Sequence, residues 1–423
     1  MKVKVIKKSY TDVMAMKRPK HKRPIKPSIL FRTLMRLVSI PDLIKTGFRL
    51  EKVGMERLGK KEPCLVLMNH SSFIDLEIVA SAMYPRPFNI VATTDSYFGK
   101  GWLMRRLGCI PTKKFVNEPS LVRDMIYAIR ELGDSVILFP EAGYSFDGKS
   151  TTLPDTLGRL VKMLGAPVVM ITTYGAFSRD PLYNNLKKRS VKVSAKQEFL
   201  LSKEDIASMS TEQINEIITE KFSFDSFRWQ QENKIRIAEP TRAEGLNRVL
   251  YKCPHCEAEG FTEGTGTQLV CHNCGESWTL DEYGYINSNG KKDGFNHIPD
   301  WYSWERECVR REICDGKYGI DIPVDIYMST STSGLYSIGE GRLAHSQAGF
   351  KLVGKDIGLD YEQKPLASYS VCSDFNWYEI SDIVAIGNKD AIFYCLPKIK
   401  NDIVAKIRLA AEEIYKLARP KRT

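Results

Sequence analysis

The sequence predicts an α/β chain: a mostly parallel sheet with flanking helices, then a small cysteine-bearing module, then a β-rich segment closed by a C-terminal helix. Three observations lead there. From about residue 51, apolar strand-like runs alternate with helical stretches across short polar loops. Two Cys-x2-Cys pairs follow, at 253–256 and 271–274. Short strands and turns then fill 317–398, before a helical stripe at the end. At 423 residues and 43% hydrophobic, the chain has material for two to four domains and a large core, which excludes a mostly disordered or fibrous protein. No run of about 18 apolar residues occurs, so no membrane-crossing helix is expected.

The chain opens on a basic arm. Residues 1–26 carry ten Lys and Arg against Asp12, which is +9 of the net +11, so the remainder is nearly neutral. Such an arm suits an anionic membrane or nucleic acid, or is a solvated tail. It lacks the apolar segment and small-residue cleavage site of a secretory signal, so a cytoplasmic location is expected. After Pro27 and Ser28, Leu30, Leu34, Leu37 and Val38 recur on one helical face, with Arg32, Arg36 and Ser39 on the other, until Pro41 and Asp42 break the pattern. This amphipathic helix fits a membrane interface. Packing on the protein's own core gives the same periodicity, and the adjoining arm favours the membrane. Residues 1–50 are taken as this arm and helix.

The first folded unit, 51–240, reads as follows. Residues 64–68 are a buried-type strand, 69–72 a polar loop, and 73–83 a helix ending before Pro85. A helix over 119–132 leads through Gly133 to a strand at 135–139 and then Pro140-Glu141-Ala142-Gly143. A helix over 156–164 leads through Gly165 to an apolar run at 167–172. Ligands of parallel sheets collect at the carboxyl ends of strands, where Asn69-His70 and Pro140-Glu141 stand.

His70 and Asp75 are the candidate catalytic pair. Imidazole accepts a proton near neutral pH, and a carboxylate on its other nitrogen fixes the tautomer. Five helical positions span about 140°, so His70 must sit in the loop and fold back over the first turn of the helix to meet Asp75. Open N–H groups of that turn, Ser72 among them, could then receive an oxyanion. The same residues also fit a capping box, in which Asp75 serves only backbone donors.

The block Met68-Asn-His-Ser-Ser-Phe-Ile-Asp75 resembles the N-H-x4-D motif of the lysophospholipid acyltransferase superfamily, to which the 1-acylglycerol-3-phosphate acyltransferases belong. Residues 108–115, 139–145 (Phe-Pro-Glu-Ala-Gly-Tyr-Ser) and 165–171 resemble its second to fourth blocks in order and spacing, so the likeness covers roughly 30–230. The resemblance implies an acyltransferase-type fold and transfer of a fatty acyl group from acyl-CoA or acyl carrier protein to a lysophospholipid hydroxyl, with phosphatidic acid the expected product. His70 is then the general base and Asp75 its orienting acid. Lys113 and Lys114 offer charge to the acceptor phosphate, unless they are merely solvated. Glu141 holds the acceptor or nearby backbone, and Gly143 permits close approach. No covalent intermediate is implied, so Cys64 and Cys109 read as small buried residues. The third block departs from the family pattern. Tyr144 stands where arginine is usual, which removes a bidentate phosphate contact. Either Lys149 compensates or the headgroup differs.

After a polar linker at 240–250, Cys253, Cys256, Cys271 and Cys274 have the C-x2-C-x14-C-x2-C spacing of a zinc ribbon over 251–286. Four thiolates leave no open position, so the zinc is structural, and Gly275 allows the turn after the second pair. His255 and His272 are not expected as ligands, and Cys308, Cys314, Cys372 and Cys395 read as free thiols. Residues 253–282 hold no Lys or Arg but six acidic residues, which argues against nucleic acid as a partner. Residues 300–423 form the β-rich unit, whose strands closed by one helix resemble a pleckstrin-homology-like barrel, with Ile403, Ile407, Ala410, Ile414 and Leu417 on the stripe of its last helix. The expected protein is an acyltransferase lying peripherally on the inner face of the membrane. The competing reading is a non-catalytic zinc-ribbon lipid-binding scaffold.

Overall fold

The computed structural model describes residues 3–290, 294–399 and 402–419. A short strand β1 (Val5–Lys7) precedes the main sheet. That sheet holds β2 (Arg49–Val53), β3 (Leu65–Met68), β4 (Phe88–Thr93), β5 (Cys109–Thr112), β6 (Ser135–Leu138), β7 (Val168–Tyr174) and β8 (Ser194–Leu201). The strand order is β2-β8-β7-β3-β6-β4-β5, parallel from β7 to β5, with β8 antiparallel to β7. All four residues of β3 are buried, as a strand covered on both faces requires. Val66 and Met68 enter the core under helices Ile29–Lys45 and Ile74–Met83, while Leu65 and Leu67 enter that under Pro119–Arg130 and Leu157–Leu164. The expected α/β fold is thus present, with element ends within two residues of those read from the sequence.

Two expectations about the first fifty residues change. The arm is not a free tail. β1 pairs in parallel with a strand of the C-terminal sheet at Leu335–Ser337, and Val13 is fully buried. Further on, Lys26 meets Asp134 at 3.1 Å, His21 meets Asp124 at 3.1 Å, and Arg23 lies over the Tyr127 ring. The helix, moreover, does not stop at Pro41 but runs on to Lys45. Pro41 is exposed, so the backbone carbonyl that its missing N–H frees lies toward the outside. The inner face of this helix is mixed: Leu43 enters the core, Met35 packs against it, Ser39 is buried, and Arg32 bonds the Pro85 carbonyl. Leu30, Leu34, Leu37 and Val38 face outward at 71, 45, 57 and 68% exposure. No helix among the described residues is long and apolar enough to cross a membrane.

The cysteine module is an antiparallel sheet of β9 (Thr262–Thr265), β10 (Gln268–Cys271), β11 (Ser277–Leu280) and β12 (Ile286–Ser288), in the order β12-β11-β10-β9. Helix Ile298–Cys314 leads from it to β13 (Ile320–Ser329), β14 (Leu335–Ser346), β15 (Gly349–Gly354), β16 (Asp360–Gln363), β17 (Cys372–Trp377), β18 (Ser381–Gly387) and β19 (Ile392–Pro397). These pair antiparallel in the order β16-β15-β14-β13-β19-β18-β17. Helix Val404–Ala418 closes the chain with Ile407, Ala410 and Ile414 buried and Leu417 exposed. The 240–250 stretch is no polar linker, since Ala243, Leu246, Val249 and Leu250 are fully buried. They join one core with Trp278, Trp301, the C-terminal sheet, and Phe146 and Phe177 of the first unit.

Candidate functional site

The site forms where β3, β6 and β7 end side by side. Asn69 turns the chain off β3, and its Oδ1 accepts the Thr173 N–H of β7 at 2.8 Å. His70 lies in the loop, as geometry required. Its Nδ1 is 3.1 Å from Asp75 Oδ2, and that oxygen also accepts the N–H groups of Ser71 at 2.8 Å and Ser72 at 3.0 Å. Asp75 is fully buried in the first turn of helix Ile74–Met83. It therefore does both things the sequence allowed, serving backbone donors and holding the imidazole. One expectation falls: the Ser72 N–H is engaged by Asp75 and is not open to an oxyanion.

Because the carboxylate accepts from Nδ1, Nε2 is the ring nitrogen left to take a proton. The imidazole is packed against Phe139, with centroids 4.2 Å apart, and Tyr144 at 4.3 Å, and keeps 18% of its side-chain surface exposed. Burial depresses its pKa below the usual histidine value, Asp75 opposes this, and the Lys114 charge adds to the depression. The lowered pKa keeps the ring neutral.

The third segment is laced onto this loop. Glu141 is buried, and its carboxylate accepts the His70 N–H at 3.1 Å and the Thr151 N–H at 2.7 Å. It thus holds backbone, and burial raises its pKa to about 7 against those two bonds. The Ser145 N–H bonds the His70 carbonyl at 3.2 Å. Ala142 takes a left-handed φ of 55°, uncommon for a residue with a side chain. A Cβ at Gly143 would meet nothing within 4 Å, so the position itself is uncrowded.

The two lysines diverge. The Lys113 ammonium is taken by Glu118 at 3.4 Å and the Lys389 carbonyl at 2.8 Å. Lys114 is half-buried and has no hydrogen-bond or ion-pair partner among the described residues. Its charge reaches His70, and Asp374 and Asp95 reach it in turn. The Lys149 charge faces Asp225. Cys64 and Cys109 are buried with their thiol pKa values raised, as inert core residues are.

Two groups of residues at the site carry no sequence signal. Arg179 and Asp180, both buried, bond each other at 3.1 Å, and Arg179 also bonds Asp42 near the end of helix Ile29–Lys45. This bracket ties the outward-facing helix to the turn behind Asp75. The C-terminal unit covers the opposite side: Tyr369 Oη donates to the Pro140 carbonyl at 3.2 Å, Phe375 stacks on Phe146 at 4.3 Å, and Trp377 Nε1 donates to Asp95 at 3.1 Å. The crevice between Lys114, Ala142 and Gly143 on one side and Cys372, Ser373 and Arg408 on the other has no room for a water molecule.

In the cysteine module, the Sγ atoms of Cys253, Cys256, Cys271 and Cys274 all lie within 4.8 Å of one another. Cys253 and Cys274 are 3.8 Å apart, and Cys256 and Cys271 are 3.7 Å apart. A tetrahedron with Zn–S bonds of about 2.3 Å has edges of about 3.8 Å, so the donor set fits zinc. Neither pair is at disulfide distance, and all ten cysteines are free.

Residues 49–173 match the family model described as Acyltransferase. The chain is 29% identical over 144 residues to 1-acyl-sn-glycerol-3-phosphate acyltransferase BAT2, chloroplastic, of Brassica napus, across 33% of this chain and 40% of that protein. It is 28% identical over 134 residues to LPAT1, chloroplastic, of Arabidopsis thaliana, across 30% of this chain and 36% of that protein. The chain thus spans well under half the length of these curated relatives. Among solved structures, the 1-acyl-sn-glycerophosphate acyltransferase PlsC of Thermotoga maritima aligns with 45% of this chain and 78% of its own, at 18% identity and a TM-score of 0.35.

Proposed function

We propose, from the match of residues 49–173 to the acyltransferase family and the likeness to 1-acyl-sn-glycerol-3-phosphate acyltransferases, that the chain is a member of the lysophospholipid acyltransferase superfamily and transfers a fatty acyl group from acyl-CoA or acyl carrier protein to a lysophospholipid, 1-acylglycerol-3-phosphate first among them. The observation that carries the proposal is the buried Asp75 holding His70 through Nδ1, with Nε2 left as the base. His70 Nε2 takes the proton of the acceptor hydroxyl as its oxygen attacks the thioester carbonyl. The C–S bond then breaks, and the thiolate leaves with the proton from the imidazolium. Positioning and proton removal suffice because a thiolate leaves easily. With the Ser71 and Ser72 N–H groups committed to Asp75, the next N–H in the turn, that of Phe73, is the donor left for the oxyanion. Lys114 meets the acceptor's phosphate beside Gly143, and Glu141 holds the loop, while Lys113 is paired with Glu118.

The outward apolar face of helix Ile29–Lys45 supports a peripheral seat on an anionic membrane, at the inner face of a cytoplasmic membrane, with the arm's lysines and arginines toward the headgroups. The zinc at Cys253, Cys256, Cys271 and Cys274 is structural. One observation favours the second reading, a non-catalytic lipid-binding scaffold: the crevice beside Lys114 is shut by the C-terminal unit. Thiol release from acyl-CoA with lysophosphatidate separates the two. Turnover by the wild type that falls at least 10³-fold in His70→Ala establishes the enzyme. Absence of wild-type turnover with a panel of lysophospholipids and both donors leaves the scaffold.

A further inference from the structure

We propose that Arg408, from the C-terminal helix, supplies the second cation of the acceptor's phosphate-monoester site, so that the β-rich unit completes the acyltransferase site. The inference rests on the reading that the acceptor is a lysophospholipid. Arg408 is 5% exposed, and its guanidinium lies 4.3 Å over the Phe146 ring. Nη1 donates to the Tyr144 carbonyl at 3.2 Å, inside the third segment. Nε stands 3.5 Å from Glu412, a carboxylate that Arg306 holds more closely at 2.7 Å and that also accepts from Ser370. Nη2 has no partner among the described residues.

Arg408 and Lys114 line the same crevice, with Gly143 between the two walls. An unpaired ammonium and a guanidinium with a spare donor edge facing one crevice repel each other, and burial sharpens the cost. The nearby acids outweigh that cost at Lys114, whose pKa stands above its ordinary value, but only through space. Asp374 and Asp95 face Lys114 without a hydrogen bond to it, Asp95 accepts from Trp377, and Glu141 is committed to two backbone N–H groups. A phosphate monoester satisfies both cations at once, taking the planar donor edge of Arg408 and the point charge of Lys114. The first unit has no guanidinium of its own to offer there, because position 144 presents an aromatic ring to His70. Entry of the lipid parts Cys372 and Ser373 from Ala142 and Gly143, since the crevice is closed to water.

The test is calorimetric binding to the full-length zinc-loaded protein, using short-chain lysophosphatidate, the matching monoacylglycerol and inorganic phosphate. Arg408→Gln weakens lysophosphatidate binding at least tenfold and leaves monoacylglycerol within twofold, while Arg408→Lys recovers part of the loss. Inorganic phosphate bound as tightly as lysophosphatidate would identify a free-phosphate site and overturn the lipid assignment. So would absent wild-type binding of lysophosphatidate, an unchanged affinity in Arg408→Gln, or equal loss of both lipids, which is the mark of a purely structural arginine. Thiol release on the same samples judges the enzymatic reading separately: tight, Arg408-dependent binding without turnover refutes the transfer reaction and leaves the anion site standing.

Discussion

Asp75 concentrates three donors on one carboxylate oxygen while its other oxygen, buried, has none. In Asp75→Asn the amide oxygen can keep the accepting position and the amide nitrogen can take the orphan one, so the loop keeps its shape while the negative charge is lost. Two effects follow. The imidazolium formed on proton removal loses its counter-charge, and kcat falls by about 10²–10⁴. Asp75 also raises the His70 pKa against burial, so without it the imidazole titrates lower still. The acid limb of kcat/KM lies below the ordinary histidine value in the wild type and moves to lower pH in Asp75→Asn, because the base fails only when it is protonated. A pH profile of both proteins checks this, and an unmoved acid limb would mean that the limb reports another group.

Helix Ile29–Lys45 turns Leu30, Leu34, Leu37 and Val38 outward, while Met35, Ser39 and Leu43 face the body. Burial of a Leu or Val side chain contributes about 1.5–3 kcal/mol. Leu34→Ser, Leu37→Ser and Val38→Ser together therefore lower partitioning onto anionic vesicles at least 100-fold, with Tm within about 2 °C of wild type because none of the three supports the core. Sedimentation with vesicles and thermal denaturation measure the two effects. The sequence revealed this helix and its two faces but not which face turns inward, since periodicity has no sense of direction. Buried parallel strands such as 65–68 were legible because both faces need apolar residues, and the His70 loop because five helical positions cannot bring His70 to Asp75. β1 was not, because three residues carry no periodicity and their hydrogen-bond partners lie at Leu335–Ser337. Nor was Arg408 legible, because its place at the site depends on contacts between distant parts of the chain.

The cysteine module, the 240–250 segment and the C-terminal sheet do not hang as separate beads. Trp278 of the module meets Trp301 at 4.9 Å, and the Lys252 N–H bonds Glu305 at 2.8 Å on the helix that bears Trp301. That helix is clamped to the last one through Arg306 with Glu412 and Glu413. Metal binding is therefore coupled to the folding of all three. Chelation, or Cys253→Ser with Cys271→Ser, lowers Tm by on the order of 10 °C in a transition that includes the β-rich unit. Metal analysis of the wild type is expected to return one zinc per chain. A β-rich transition that ignores the metal would contradict the shared core.

The parallel pairing of Val5–Lys7 with Leu335–Ser337 makes the α/β body an insert, spliced between one edge strand and the rest of the module that owns it. A clone trimmed to begin at the family-matching segment strips that strand from the distant sheet and leaves its backbone edge bare, ready to zip onto a neighbour.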